Sequence, residues 1–393
     1  MFEIDGGICA VEGVEASGVK EEGSGLALIR ARGLCTGMFT KNRFMAPPLI
    51  VCKEKLGKTG GKFSGIVISS GNANSYTGSE GIEDAREMAR FAAECMGIPE
   101  DETLVSSTGI IGRRLDMKLI KRQIEKVAQT LEHGKEGAHR AAEAILTTDR
   151  EKKEVAVEVG EGKNRVVVGG MAKGAGMVYP NMATMLAFIF TDAPLSPSTL
   201  KECLKQSVDK SFHMLTIDGD MSTNDMVLLT TVSNRREDIP QVKENFTKGL
   251  EYVCVELAKM MAKGAEGATT LITVEVRGAS SLEDARKSAR TIANSTLLKT
   301  AVYGRDPNWG RIVAALGYSG ARASPDTLSI AIADVWVVKS GEIQNFDYEE
   351  LKKKMDCDEV KITVDLGCGK YSAVAWGCDL SEEYVRINSE FST

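Results

Sequence analysis

Thr184 is the residue whose setting promises the most chemistry. It stands in Lys173-Gly-Ala-Gly-Met-Val-Tyr-Pro-Asn-Met-Ala183-Thr184-Met-Leu-Ala-Phe-Ile-Phe-Thr-Asp192. A loop punctuated by glycine and proline runs into Ala-Thr, and the apolar run 185–190 reads as a buried strand. The threonine hydroxyl is thereby placed where a tight loop becomes a strand. A cut before Thr184 would give it a free α-amine beside its own hydroxyl, a nucleophile and a base in one residue.

Other nucleophile systems have little material. There are three histidines, His133, His139 and His213, and no pair has metal-ligand spacing. His133 and His139 lie in charged stretches, and His213 in Ser-Phe-His-Met-Leu reads as a packed residue. A Ser-His-Asp mechanism is therefore poorly supplied, and no metal site is expected. The loop 169–176 is glycine-rich, but it lacks the P-loop and dinucleotide spacings and leads into a strand. A β-turn and a functional loop are about equally good readings of it. Gly367-Cys-Gly-Lys370 reads as a hairpin turn between two strands. Ser106-Ser-Thr108-Gly109-Ile-Ile-Gly112 joins a short strand to a helix, where backbone N–H groups and a hydroxyl can hold an oxyanion. An ordinary loop capping the helix is, from these residues alone, the slightly better reading. Glu266 lies among small residues in a helix-to-strand connection and by itself reads as a solvated charge. Thr216-Ile-Asp218-Gly-Asp220-Met-Ser-Thr-Asn224-Asp225 is dense in acids but lacks the full calcium-loop pattern, so it reads as a polar turn network.

The elements that must position these residues alternate between strands and helices. Short apolar runs bounded by turn residues predict strands at 26–30, 49–52, 66–70, 103–105, 155–159, 166–168, 226–232 and 269–276. Helical stripes predict helices at 82–96, 115–131, 137–146, 196–211 and 242–263. A boundary falls near Gly278-Ala-Ser-Ser281. Beyond it come a helix at 282–298, a strand at 328–338, a helix at 348–354, and strands at 360–366 and 371–377.

With 393 residues, 43% apolar and 26% charged, the chain suits a soluble protein of two or three domains with a large core. A net charge of −6 without a basic stripe argues against nucleic acid as a partner. The N-terminus lacks the basic and apolar regions of a signal peptide, and no apolar run is long enough for a bilayer, so a cytoplasmic location without membrane contact is expected. Nine scattered cysteines without C-x-x-C read as reduced thiols.

Taken together, these motifs resemble the ornithine acetyltransferases, the glutamate N-acetyltransferases of the cyclic arginine pathway. The resemblance covers essentially the whole chain. It is carried by the segment around Lys173 and Thr184, by Ser-Ser-Thr108-Gly109-Ile-Ile-Gly, by Thr216 to Asp225, and by Gly264-Ala-Glu266-Gly-Ala-Thr269. Tyr303-Gly-Arg-Asp-Pro-Asn-Trp-Gly-Arg311 and Asn388 to Thr393 complete it. It implies a four-layer α/β/β/α sandwich core, shared with self-processing aminopeptidases, at about 1–278, and a smaller α/β domain at about 279–393. It also implies self-cleavage between Ala183 and Thr184 into chains 1–183 and 184–393, which stay together and pair into a dimer of such pairs. The implied roles are Thr184 as nucleophile and Thr108 and Gly109 as oxyanion hole. Thr147, Lys173, Thr184, Glu266, Asn388 and Thr393 are the implied substrate contacts. Two departures stand out: Arg150 follows Thr147-Thr-Asp149 where another Thr is expected, and Phe391 stands where Tyr is expected.

The implied reaction moves an acetyl group from N2-acetylornithine to glutamate through acetyl-Thr184, with no cofactor. Whether acetyl-CoA also serves as a donor is left open. After cleavage the Thr184 amine would have an unperturbed pKa of roughly 7.7–8.0, near the working pH of a general base. The alternatives are a self-processing peptidase or amidase of the same fold and a non-catalytic metabolite-binding protein.

Overall fold

The computed structural model describes residues 1–21, 23–179 and 185–390. Among them, nine strands join into one hydrogen-bonded set: β1 (Phe2–Glu3), β2 (Glu15–Glu21), β3 (Ser24–Phe39), β4 (Lys62–Asn72), β5 (Thr103–Ile110), β6 (Lys153–Val159), β7 (Val166–Lys173), β8 (Leu186–Thr191) and β9 (Met226–Thr231). The long strand β3 divides this set into two layers. Its first half pairs with β2 and β4, its register shifts between Arg30 and Gly33, and its second half pairs with β9. One layer is therefore β2-β3-β4-β5 and the other β1-β6-β7-β8-β9-β3.

Side-chain alternation shows how the layers stack. On β8, Leu186, Phe188 and Phe190 join the core shared with β3 and β4, while Ala187 and Ile189 face the opposite core. Val167 and Met171 alternate with Val168 and Ala172 on β7 in the same way. Between the layers, Phe190 meets Phe63 of β4 edge to face, with ring centroids 5.9 Å apart. Helices α1 (Pro47–Thr59), α2 (Gly78–Met96), α3 (Met117–Ala128) and α4 (Lys135–Ala144) pack on the β2–β5 layer, and α5 (Pro197–Lys210) and α6 (Pro240–Lys263) on the other. The result is the α/β/β/α sandwich. Its period-2 burial on both faces of both layers is what fully apolar strands require. Each buried Phe or Leu contributes roughly 1.5–3 kcal/mol.

A second sheet follows, built from β10 (Leu271–Ala279), β11 (Ser329–Ile332), β12 (Val335–Lys339), β13 (Glu342–Ile343), β14 (Glu359–Asp365) and β15 (Tyr371–Cys378), in the order β13-β12-β11-β14-β10-β15. With it come α7 (Leu282–Ala293), α8 (Thr296–Tyr303), α9 (Trp309–Tyr318), α10 (Tyr348–Lys354) and α11 (Glu382–Glu390). The sequence division at about 278/279 falls at the end of β10, whose partners are all in this second sheet. No helix among the described residues is long and apolar enough to cross a membrane.

Six sequence expectations are corrected. Residues 106–110 and 169–173, read as parts of loops, lie in β5 and β7. Residues 49–52 are helical, not a strand: Pro47 and Pro48 open α1 with φ already set for a helix, and Gly60 closes it at φ 65°. The single strand expected at 328–338 is a hairpin that turns on Ala333 and Asp334, both at positive φ (46° and 62°) without glycine or asparagine to announce it. The helix expected at 282–298 breaks at Asn294, and Ser295 caps a new helix by accepting from Leu298 N. The turn at 367–370 is not a hairpin, because β10 lies between β14 and β15 and the connection crosses over its end.

Candidate active site

At the pleated edge where β7 ends and β8 and β9 begin, Lys173 pairs with Leu186 and Leu186 with Met226. The register brings the end of one apolar run beside the start of two others, so the polar residues that bound them meet. They line a cavity of about 420 Å³ with the ends of β4 and β5. Six of the expected site residues line it: Thr108 and Gly109 from β5, Thr147 after α4, Lys173 from β7, Glu266 after α6 and Asn388 from α11. Ala183, Thr184 and Thr393 lie outside the described residues, as does Phe391.

Lys173 is the electrostatic centre of the cavity. Its side chain is 4% exposed, and its Nζ donates to Thr147 Oγ1 at 2.7 Å and Thr108 Oγ1 at 3.4 Å. Asp149 Oδ2 lies 3.6 Å away, while Asp149 Oδ1 accepts from Lys153 Nζ at 2.6 Å and from Gly174 N at 2.7 Å. Both the Asp149 and Lys153 side chains are buried. One carboxylate thus serves two ammonium groups, and the unbalanced positive charge faces the cavity through Lys173. Burial pulls the Lys173 ammonium below its ordinary pKa, with Asp149 opposing. Burial alone would raise the Asp149 carboxyl, but the two lysines and the Lys153 and Gly174 hydrogen bonds outweigh it and hold it well below the usual carboxylate range.

Acidic groups also line the cavity. Asn388 Nδ2 donates to Glu266 Oε2 at 2.8 Å, which ties α11 to the loop after α6. Asp218, Asp220, Ser222 and Asn224 line the same cavity. The segment read as a polar turn network is one, and it is also part of the site. Sequence reasoning did not single out Asp149, Asp218, Asn224 or Tyr384 as site residues. The acidic density of 216–225 was the available signal for two of them.

Gly109 is glycine for a reason the backbone states. Its φ is +130°, and a Cβ there would sit 2.3 Å from the Gly71 carbonyl carbon, where β4 and β5 run together. Gly109→Ala is expected to destabilise the protein by about 1–3 kcal/mol through strain and overpacking, read as a lowered denaturation midpoint at unchanged slope.

Among the described residues, which include all three histidines, no histidine lines the cavity. His139 pairs with Glu154 and His213 with Asp209. The buried His213 is pulled below its ordinary pKa, burial outweighing Asp209.

Against known proteins, the model of the ArgJ family matches residues 11–393. The chain belongs to the ArgJ family. The glutamate N-acetyltransferase of Methanosarcina mazei is 47% identical over 399 residues, with both chains covered in full. That of Methanocaldococcus jannaschii is 47% identical over 405 residues, again with full cover of both. The arginine biosynthesis bifunctional protein ArgJ of Symbiobacterium thermophilum is 42% identical over 408 residues, also end to end. An ArgJ-family chain thus accounts for the co-occurrence of motifs drawn from five separated segments around one cavity.

Proposed function

We propose that this chain is a glutamate N-acetyltransferase that carries an acetyl group from N2-acetylornithine to glutamate on Thr184. The observation that carries the reading is the single cavity gathering Thr108, Gly109, Thr147, Lys173, Glu266 and Asn388, in a chain whose full-length relatives are named for this activity. The peptidase alternative has no comparable support.

In this reading Thr184 Oγ attacks the Ala183 carbonyl, the C–N bond breaks in an N-to-O acyl shift, and water hydrolyses the resulting ester, which frees the Thr184 α-amine. The freed α-amine takes the proton from Thr184 Oγ, which attacks the acetyl carbonyl. The Gly109 N–H and the Thr108 hydroxyl hold the oxyanion, each such donor contributing about 3–4 kcal/mol. The acetyl C–N bond breaks and ornithine leaves with the proton on its amine. The glutamate amine then attacks the ester, the C–O bond breaks, and the proton returns to Thr184 Oγ. Both amino acids carry an α-carboxylate, and the unbalanced charge at Lys173 suits it. Their side chains end in opposite charges, so the contacts beyond Cα must tolerate both; Asn388 and Thr393 are neutral residues for that end. Protonation of a Thr184 amine placed beside the Lys173 ammonium would also be disfavoured. The two pieces remain together and assemble as a dimer of pairs in the cytoplasm.

The test is glutamate acetylation with N2-acetylornithine and with acetyl-CoA as donors, side by side. Transfer from acetylornithine that depends on glutamate supports the reading, and the acetyl-CoA arm decides whether the enzyme has one donor or two. Hydrolysis of small peptides without dependence on an acceptor would replace it with the peptidase reading.

A further inference from the structure

The backbone on either side of the 183–184 bond is held by one short segment. Upstream, Met177 N donates to Asp218 Oδ2 at 2.6 Å and Val178 N to Asp218 Oδ1 at 2.8 Å. The carbonyl of Val178 accepts from Ile217 N at 2.9 Å. Downstream, Met185 N donates to Asp225 Oδ1 at 3.2 Å, and its carbonyl accepts from Met226 N at 3.0 Å. Val178 and Met185 are thus each gripped through both their N–H and their C=O by residues 217–226.

The gripping segment is itself fixed to the scaffold. Asn224 Nδ2 donates to the carbonyls of Ala73 (2.6 Å) and Ser107 (2.9 Å), the latter next to Thr108. Thr40 N donates to the Asp225 carbonyl at 3.0 Å. Asp225 is fully buried, and its Oδ2 has no hydrogen-bond partner among the described residues. Met177 is held at φ +57°, a left-handed conformation uncommon for a residue with a side chain, at the point where Asp218 takes its N–H. Tyr384 of α11 also braces Asp218, donating from its hydroxyl at 3.3 Å to Oδ2, the oxygen that accepts from Met177 N.

We infer that Asp218 and Asp225 are positioning residues that brace the two flanks of the Ala183–Thr184 bond and thereby promote self-cleavage. The inference rests on the self-cleavage reading and deepens it. Neither carboxylate takes part in bond making. Asp218 belongs to the downstream piece and Met177 and Val178 to the upstream one, so after the cut this grip joins the two pieces. The two carboxylates act through different numbers of atoms, which separates their variants. Both Asp218 oxygens accept backbone N–H groups, so an amide there must turn its NH₂ toward a donor. Asp225 uses one oxygen for Met185, so Asp225→Asn retains the acceptor that matters.

The experiment follows cutting from the moment of synthesis in a cell-free translation, by denaturing gel and mass, for the full chain and four variants, with thermal unfolding as a check on folding. Asp218→Ala, Asp218→Asn and Asp225→Ala are expected to cut about tenfold or more slowly, as the loss of a buried hydrogen bond implies. Asp225→Asn is expected to remain within about threefold of the natural chain. A folded Asp218→Ala chain cut at the natural rate would overturn the inference, as would Asp225→Asn slowed as much as Asp225→Ala. An Asp218→Asn chain that fails to fold also counts against it, since the brace acts on the turn and not on the core. A natural chain that never cuts defeats the self-cleavage reading, and this inference with it.

Discussion

Thr184→Ala is expected to yield one intact chain and to lose acetyl transfer by at least about 10⁴-fold, the scale on which removing a nucleophile acts. In the proposed mechanism the two losses share a cause: one hydroxyl attacks the Ala183 carbonyl in the first event and the acetyl carbonyl in the second. The chain should still fold, since the sandwich is built from β1–β9 and their helices and its described core side chains are unchanged. Thr184→Ser offers a finer control: it retains the hydroxyl and is expected to cut and to transfer at reduced rates. Mass analysis and a transfer assay on the same preparations check both outcomes. An intact Thr184→Ala chain that still transfers acetyl would show that another residue carries the group.

The second large effect belongs to Asp149. Asp149→Ala removes the carboxylate between Lys153 and Lys173, both with nearly inaccessible side chains. Two buried ammonium groups are then left without their counter-charge, a change on the order of 3–5 kcal/mol. The protein is expected to melt on the order of 10 °C lower, and KM for acetylornithine to rise as Lys173 loses its fixed position. A pH signature accompanies it. The Asp149 carboxyl is held below its unfolded value, so its contribution is fully present above the ordinary carboxylate pKa of about 3.9 and is lost as pH falls toward the lower folded value. The stability gap between the natural chain and Asp149→Asn should therefore be constant near neutrality and close progressively below about pH 4. Chemical denaturation at a series of pH values reads it, and a gap that widens in acid would refute the assignment of Asp149 as the counter-charge.

Much of the fold was legible from local pattern. The runs at 66–70, 166–168, 185–190 and 226–232 overlap β4, β7, β8 and β9, and helical stripes marked α2, α3 and α6. Failures came where a local signal was shared by two structures. A four-residue apolar run after Pro47-Pro48 fits strand or helix, and only the proline pair favours the helix that forms. Ala333-Asp334 turns a hairpin without turn-type residues, because pairing of Ile330 with Val338 holds it. Layering was not visible in any strand alone, since it depends on β3 changing partners along its length. The candidate site was legible chiefly through motifs. Thr108, Lys173, Glu266 and Asn388 share no periodicity and meet only through register and packing. Asp149 escaped notice because its two lysine partners mark it only in three dimensions. Asp218 and Asn224 stood within a recognised motif, but their roles depend on which backbone groups they reach.

The central claim is that acetyl passes through Thr184 after the chain is cut. The most direct measurement is denaturing mass analysis of the purified protein after exposure to N2-acetylornithine without glutamate. Two fragments of roughly 20 and 23 kDa, scaled from residue counts, are expected. The larger should begin at Thr184, carry one acetyl group and lose it when glutamate is added. A fully active chain that remains in one piece, or an acetyl group on the smaller fragment, would contradict the account.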